Sequence, residues 1–178
     1  TYNYKNIVSM WFAGVDLTWV NYHPDVLYGT TYDGVSEKIT SRSTDEVSNS
    51  YSVILRSSKG FDWKKTKISV DAKYTHFDSP LLQQEQILRY SGNSYSTNLS
   101  LNSSPFNWMS VAYSSELYVS KSKMQFGGST PTIKTLRNNF TMNFYLPKGI
   151  DLRMKAVHYY NNLNNKDKAF FLGDIDIN

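Results

Sequence analysis

The chain has 178 residues, with 14 Tyr, 9 Phe, 4 Trp and no Cys, and carries a formal charge of +4. Without cysteine there is no disulfide framework, no thiolate zinc site and no thiol nucleophile, and the length suits one structural unit. The 19 Lys and Arg are scattered, with Lys64-Lys65 the only adjacent pair, so no basic cluster marks a phosphate-binding face and no nucleic-acid partner is expected.

Aromatic residues set among Ser, Thr and Asn, with little Ala or Leu, make a strand composition. No run approaches the ~20 consecutive apolar residues of a transmembrane helix, and no signal peptide is present. The chain opens on Thr1 without an initiator Met, as expected of a segment of a longer protein or of one whose leader has been removed.

The first predicted strands are Ile7 to Tyr22, with Trp11, Leu17 and Trp19 on one face, and Val26 to Glu37. Asp45 to Arg56 follows, with Val47, Tyr51, Val53 and Leu55 on its apolar side. Period two is clearest from Trp63 to His76. Thr66, Ile68, Val70, Ala72, Tyr74 and His76 share one face there, and Lys65, Lys67, Ser69, Asp71 and Lys73 the other. The same split recurs in Ser94 to Asn102, Met109 to Ser120, Ile133 to Leu146 and Ile150 to Tyr160. Ala169 to Ile177, through Phe171, Ile175 and Ile177, starts a ninth strand. No segment has helical spacing. The fold expected is all-β, an antiparallel up-and-down (meander) β-barrel of which residues 1–178 form a single partial segment without a plug domain.

The connections sort by length. Ser57 to Phe61, Asn102 to Asn107 and Pro147 to Gly149 read as tight turns. Asp33 to Thr44, Phe77 to Gln86, Lys121 to Pro131 and Asn161 to Lys168 read as long polar loops, with Gly127-Gly128 at a loop tip. Short turns at one end and long loops at the other are the outer-membrane pattern, the short turns being periplasmic. Phe61-Asp62-Trp63, Phe106-Asn107-Trp108 and Ile150-Asp151-Leu152 each follow a turn, one hairpin apart, where a barrel places an interfacial girdle.

Chemistry-bearing residues do not cluster. His23, His76 and His158 lie on separate elements without a ligand partner at i+2 or i+4, and read as surface or interfacial histidines. Asp174 and Asp176 share a face, and Glu116 stands among serines; Arg137, Arg153 and Lys155 are the expected ion-pair partners. There is no Gly-x-Ser-x-Gly elbow. Asn98, Asn102 and Asn139 match the glycosylation acceptor pattern, but strand period two explains them, since an inward Asn and an inward Ser or Thr fall two apart. The expectation is a protein that is not an enzyme, with no catalytic, cofactor-binding or metal residue and no cofactor. Substrate-binding residues remain unassigned.

The hairpins YSVILRSSKGFDWKKTKISVDAKYTHF, YSTNLSLNSSPFNWMSVAYSSELYVS and NFTMNFYLPKGIDLRMKAVHYYNN resemble the C-terminal barrel region of TonB-dependent outer-membrane receptors of the Bacteroidetes type. The likeness is one of alternation and turn chemistry along nearly the whole chain, without an invariant motif. It implies the outer membrane of a Gram-negative bacterium, a parent barrel of roughly 22 strands around a plug, and uptake of a glycan, peptide, siderophore or similar nutrient. The partners it implies are outer-membrane lipid, the remaining strands and plug of the parent barrel, and a surface lipoprotein. The chain shows no plug, holds fewer than half those strands and ends without a terminal aromatic residue, as expected of a fragment. The alternative is a complete small soluble β-barrel that binds an apolar ligand in its lumen, and would turn the Ile68, Val70, Ala72, Tyr74 row inward.

Overall fold

The computed structural model describes residues 1–6, 9–125, 130–163 and 168–177. Eleven strands form one sheet: β1 Tyr2–Asn6, β2 Trp11–Tyr22, β3 Val26–Asp33, β4 Ser36–Ser43, β5 Ser48–Phe61, β6 Thr66–Gln83, β7 Gln86–Phe106, β8 Met109–Met124, β9 Ile133–Leu146, β10 Ile150–Asn161 and β11 Ala169–Ile177. Nine of them follow the order β1-β2-β5-β6-β7-β8-β9-β10-β11, and every neighbouring pair on that path is antiparallel. The all-β up-and-down expectation is therefore met, with no α-helix among the described residues. The sheet is open, with β1 and β11 at its edges, and does not close into a barrel.

The strand count rises from the expected eight or nine to eleven for local reasons. Tyr2–Asn6 is a separate strand paired to β2, which runs from Trp11, and the expected start of the first strand at Ile7 lies outside the described residues. Asp33 to Thr44, read as a long loop, is largely β4, which closes a hairpin with β3 through Gly34 at φ +66°. Its sequence SEKITSRS lacks an apolar face, so only pairing with β3 reveals it.

Phe77 to Gln86 is also strand and not loop. β6 and β7 pair from Lys67↔Asn102 to Gln83↔Gln86 around the two residues Gln84 and Glu85, which stand at φ 48° and 63°. That turn needs left-handed backbone at two positions, for which Gly or Asn is the usual signal. Two expected tight turns shift as well: β5 continues through Phe61 and turns over Trp63–Lys65, and β7 continues to Phe106 and turns at Asn107-Trp108. Pro147–Gly149 turns where expected. The Gly127-Gly128 tip lies outside the described residues.

The expected sorting of connections by length holds only in part, because two of the four expected long loops are strand closed by the two-residue turns 34–35 and 84–85. The connections 62–65, 107–108 and 147–149 occupy one end of the meander, with the paired strand ends Asn6 and Trp11. The other end carries the β3–β4 hairpin, the β6–β7 tip and the strand ends Met124, Ile133, Asn161 and Ala169. At that end β3 lies parallel to the tip of β6 through Gly29↔Leu82 and Thr30↔Gln83. Leu82, 3% exposed, is one of few buried side chains among the described residues, as expected of a single-layer sheet.

Candidate membrane-spanning face

Strand pairing carries the period-two split across the whole sheet, because register partners share a face. One row runs Val15↔Leu55↔Ala72↔Thr97↔Leu117↔Leu136↔Tyr160. A second runs Ile68↔Leu101↔Tyr113↔Phe140↔Ala156, and Val111↔Met142↔Met154↔Ile175 continues the surface to β11. The opposite face carries Arg56↔Asp71↔Asn98↔Glu116↔Arg137↔Tyr159.

Exposure is distributed against the rule for a soluble sheet. In β5 the polar-face residues Ser50, Ser52, Ile54, Arg56 and Ser58 are half-buried, while Tyr51 and Leu55 on the apolar face are exposed. In β7 Ser94, Ser96, Asn98 and Ser100 are half-buried, while Tyr95 and Leu99 stand exposed. Leu17, Trp19, Phe171 and Ile175 extend this exposed apolar surface to both sides, each at least 62% accessible. Water would penalise so contiguous an apolar area at ~25 cal/mol per Å².

Aromatic rings bound the apolar band at both ends. At the loop end Tyr51, Tyr74 and Tyr95 form a chain across β5, β6 and β7 with ring centroids 6.0 and 5.0 Å apart, and Trp19 is the register partner of Tyr51. At the turn end Trp108 stacks between Phe106 at 5.1 Å and Phe144 at 6.2 Å, and Tyr4 meets Trp11 edge-on at 6.0 Å. The Lys64 ammonium sits 4.8 Å from the Trp63 ring and 5.4 Å from Phe106. From Tyr51 to Phe61 β5 advances ten residues. At about 3.4 Å per residue and a tilt of about 40°, that spans about 25 Å, the height of an outer-membrane apolar band.

Two of the three histidines join this surface. His76 Nδ1 and the Tyr74 hydroxyl both lie 2.8 Å from Asn93 Oδ1, and the His76 ring stacks on Tyr51 at 4.9 Å. On the same face, across β8, β9 and β10, the Tyr113 hydroxyl donates to Asn138 Oδ1 at 3.1 Å, and Asn138 Nδ2 donates to His158 Nδ1 at 3.1 Å. Both clusters sit on the apolar face toward the loop end, where each satisfies an asparagine that would otherwise be costly there. His23 lies apart, exposed in the connection from β2 to β3. No metal-binding group of His, Cys, Asp or Glu forms among the described residues.

The polar face holds its own side chains together. Asp16 and Arg56 form an ion pair, and Lys155 reaches Asp176 at 3.4 Å and Asp174 at 3.9 Å. Glu116 stands opposite Arg137 in register, but the Arg137 Nε donates to Asn139 Oδ1 at 3.2 Å. Asn139 in turn donates to Ser114 at 3.1 Å, as Asn143 does to Ser110. The Asn98 Oδ1 is buried without a hydrogen bond, beside a shallow concavity of about 290 Å³ lined by Asp71, Lys73, Glu116 and Tyr118. Asn98, Asn102 and Asn139 all lie on this face, as the period-two reading required. The Tyr-Asn-His clusters escaped sequence reasoning, since Asn93 and Asn138 meet their histidines only through pairing. Comparison with protein-family models, with curated proteins and with solved structures finds no match for this chain.

Proposed function

We propose that this chain is part of the wall of an outer-membrane β-barrel in a Gram-negative bacterium, and that the complete barrel takes up a nutrient in the manner of a TonB-dependent receptor. The observation that carries the reading is the inverted exposure of β5 and β7: apolar residues stand out and Ser, Asn and charged residues lie half-buried on the other face. Aromatic belts at both ends of the apolar band add to it, as does the extension of the β6–β7 ladder beyond β5 and β8 at one end.

On this reading the apolar rows face lipid and the polar face lines a watery lumen. The Ser, Asn and paired charges there offer hydrogen bonds to a polar solute without a reaction of their own, so the role is passage and recognition, not catalysis. The free edges of β1 and β11 present unpaired backbone groups, which hydrocarbon would penalise by several kcal/mol each. Further strands of the parent barrel are the partners that satisfy them, with a plug in the lumen and a surface lipoprotein over the loop end.

Site-directed spin labelling tests this directly, because the native chain has no cysteine. Single Val70→Cys and Ser69→Cys variants are labelled in protein reconstituted into phosphatidylcholine vesicles. Val70 should show high collision with oxygen and Ser69 with a water-soluble nickel chelate. The reverse accessibility, or a protein that stays monomeric in water without detergent, would overturn the membrane reading.

A further inference from the structure

We infer that the rim of the apolar face at the loop end binds the phosphate of an anionic lipid head group. The inference rests on the membrane reading above and adds a ligand to it. Lys121 and Lys123 on β8 lie two residues apart and therefore on one face, which the pairing Asn93↔Lys121 and Ser91↔Lys123 identifies as the apolar one. Lys134 on β9 shares that face as the partner of Val119.

Lys121 and Lys123 border the aromatic belt on its loop side, because Tyr95 and Val119 form the next paired row toward the turn end, and Lys134 lies in that row. All three are exposed, and none of the ion pairs among the described residues engages them. Arg89 lies 3.4 Å from Asp78 and 2.7 Å from Glu46, which leaves one negative charge among these three groups, and the three lysines outweigh it. A concavity of about 500 Å³ lies between His76, Asp78, Asn93, Lys121 and Lys123. Asn93 Oδ1 accepts from the Tyr74 hydroxyl and lies against His76 Nδ1, which leaves the Asn93 amide N–H groups for an outside acceptor.

Ammonium groups just beyond an aromatic belt meet a bilayer at head-group depth, while their stems run over the apolar band. A phosphate there would gain the Lys121 and Lys123 ammonium groups and an amide donor against the one lining carboxylate, Asp78, and its acyl chains would continue down the Val119 and Leu117 surface. Peripheral lysines gain roughly fivefold in affinity for an anionic surface per charge, and a concave site should at least match that.

The test uses native mass spectrometry on the protein in a zwitterionic detergent, titrated separately with phosphatidylglycerol, phosphatidylcholine and inorganic phosphate. Phosphatidylglycerol should be retained at least tenfold more tightly than phosphatidylcholine. Lys121→Gln with Lys123→Gln should remove most of that preference, whereas the charge-matched Lys67→Gln with Lys73→Gln, on the polar face, should keep it. Equal retention of the two lipids, or equal loss in both double variants, would overturn the proposal. So would inorganic phosphate displacing phosphatidylglycerol at equal concentration, which would assign the site to free phosphate. Insertion into pure phosphatidylcholine vesicles, measured in parallel, separates failure of this site from failure of the membrane reading.

Discussion

Gly29 lies so close against Leu82 that a Cβ on Gly29 would stand 2.0 Å from the Leu82 carbonyl oxygen and 2.9 Å from the Leu82 Cβ. The contact is the point where β3 and the tip of β6 run parallel, and it covers the buried Leu82 side chain. A backbone oxygen in a paired strand cannot move aside as a flexible side chain can. Gly29→Ala should therefore detach the β3–β4 hairpin from the β6 tip while leaving the nine-stranded meander intact. The measurement is limited proteolysis with mass mapping: cleavage within Val26–Ser43 should accelerate several-fold at unchanged circular dichroism. An unchanged cleavage rate would mean that the contact holds nothing in place.

Arginine placed on the two faces should give opposite results in lipid. Val70 and Met142 lie on the apolar face, and Ser69 and Thr141 next to them on the polar one. Val70→Arg or Met142→Arg near mid-bilayer should cost about 2–4 kcal/mol in folding titrations of the intact parent barrel in lipid, where the β1 and β11 edges are paired. Ser69→Arg and Thr141→Arg should cost well under half of that. Similar costs at all four positions would contradict a lipid-facing apolar row.

Trp108 is the centre of the turn-end belt, between Phe106 and Phe144. Trp108→Ala removes both stacking partners and should destabilise the protein by about 1–3 kcal/mol, whereas Trp108→Phe keeps a ring in the stack and should cost under about 1 kcal/mol. Denaturant titration in vesicles distinguishes the two. Equal losses would assign the effect to the indole N–H and not to stacking.

The β6–β7 tip is a paired hairpin, and hydrogen exchange should report it. Leu81, Leu82, Ile87 and Leu88 are ladder residues beyond the last partners of β5 and β8. Their amides should exchange more slowly than those of the Asn107-Trp108 turn, because opening them requires unzipping a hairpin and not a local fluctuation. Exchange at the rate of an unstructured peptide would restore the loop reading of Phe77 to Gln86.

Alternation in the sequence by itself determined which residues share a face within Thr66–His76, Ser94–Asn102, Met109–Ser120, Ile133–Leu146 and Ile150–Tyr160, because side chains in a strand have no choice but to alternate. It determined the hairpin at Pro147–Gly149 as well, where Pro and a glycine at φ +77° mark the turn chemically. What it could not carry were features whose signal lies in a partner strand. The turn at Gln84-Glu85 holds left-handed backbone without Gly or Asn, so its two flanking strands read as loop until their ladder was seen. β4, polar on both sides, is a strand only because β3 supplies its hydrogen bonds. The tertiary structure alone decided that Asn93 meets His76, that Asn138 meets His158 and that Gly29 meets Leu82. Each of these joins residues between 17 and 53 positions apart, and register, which no local propensity encodes, sets which side chains face one another.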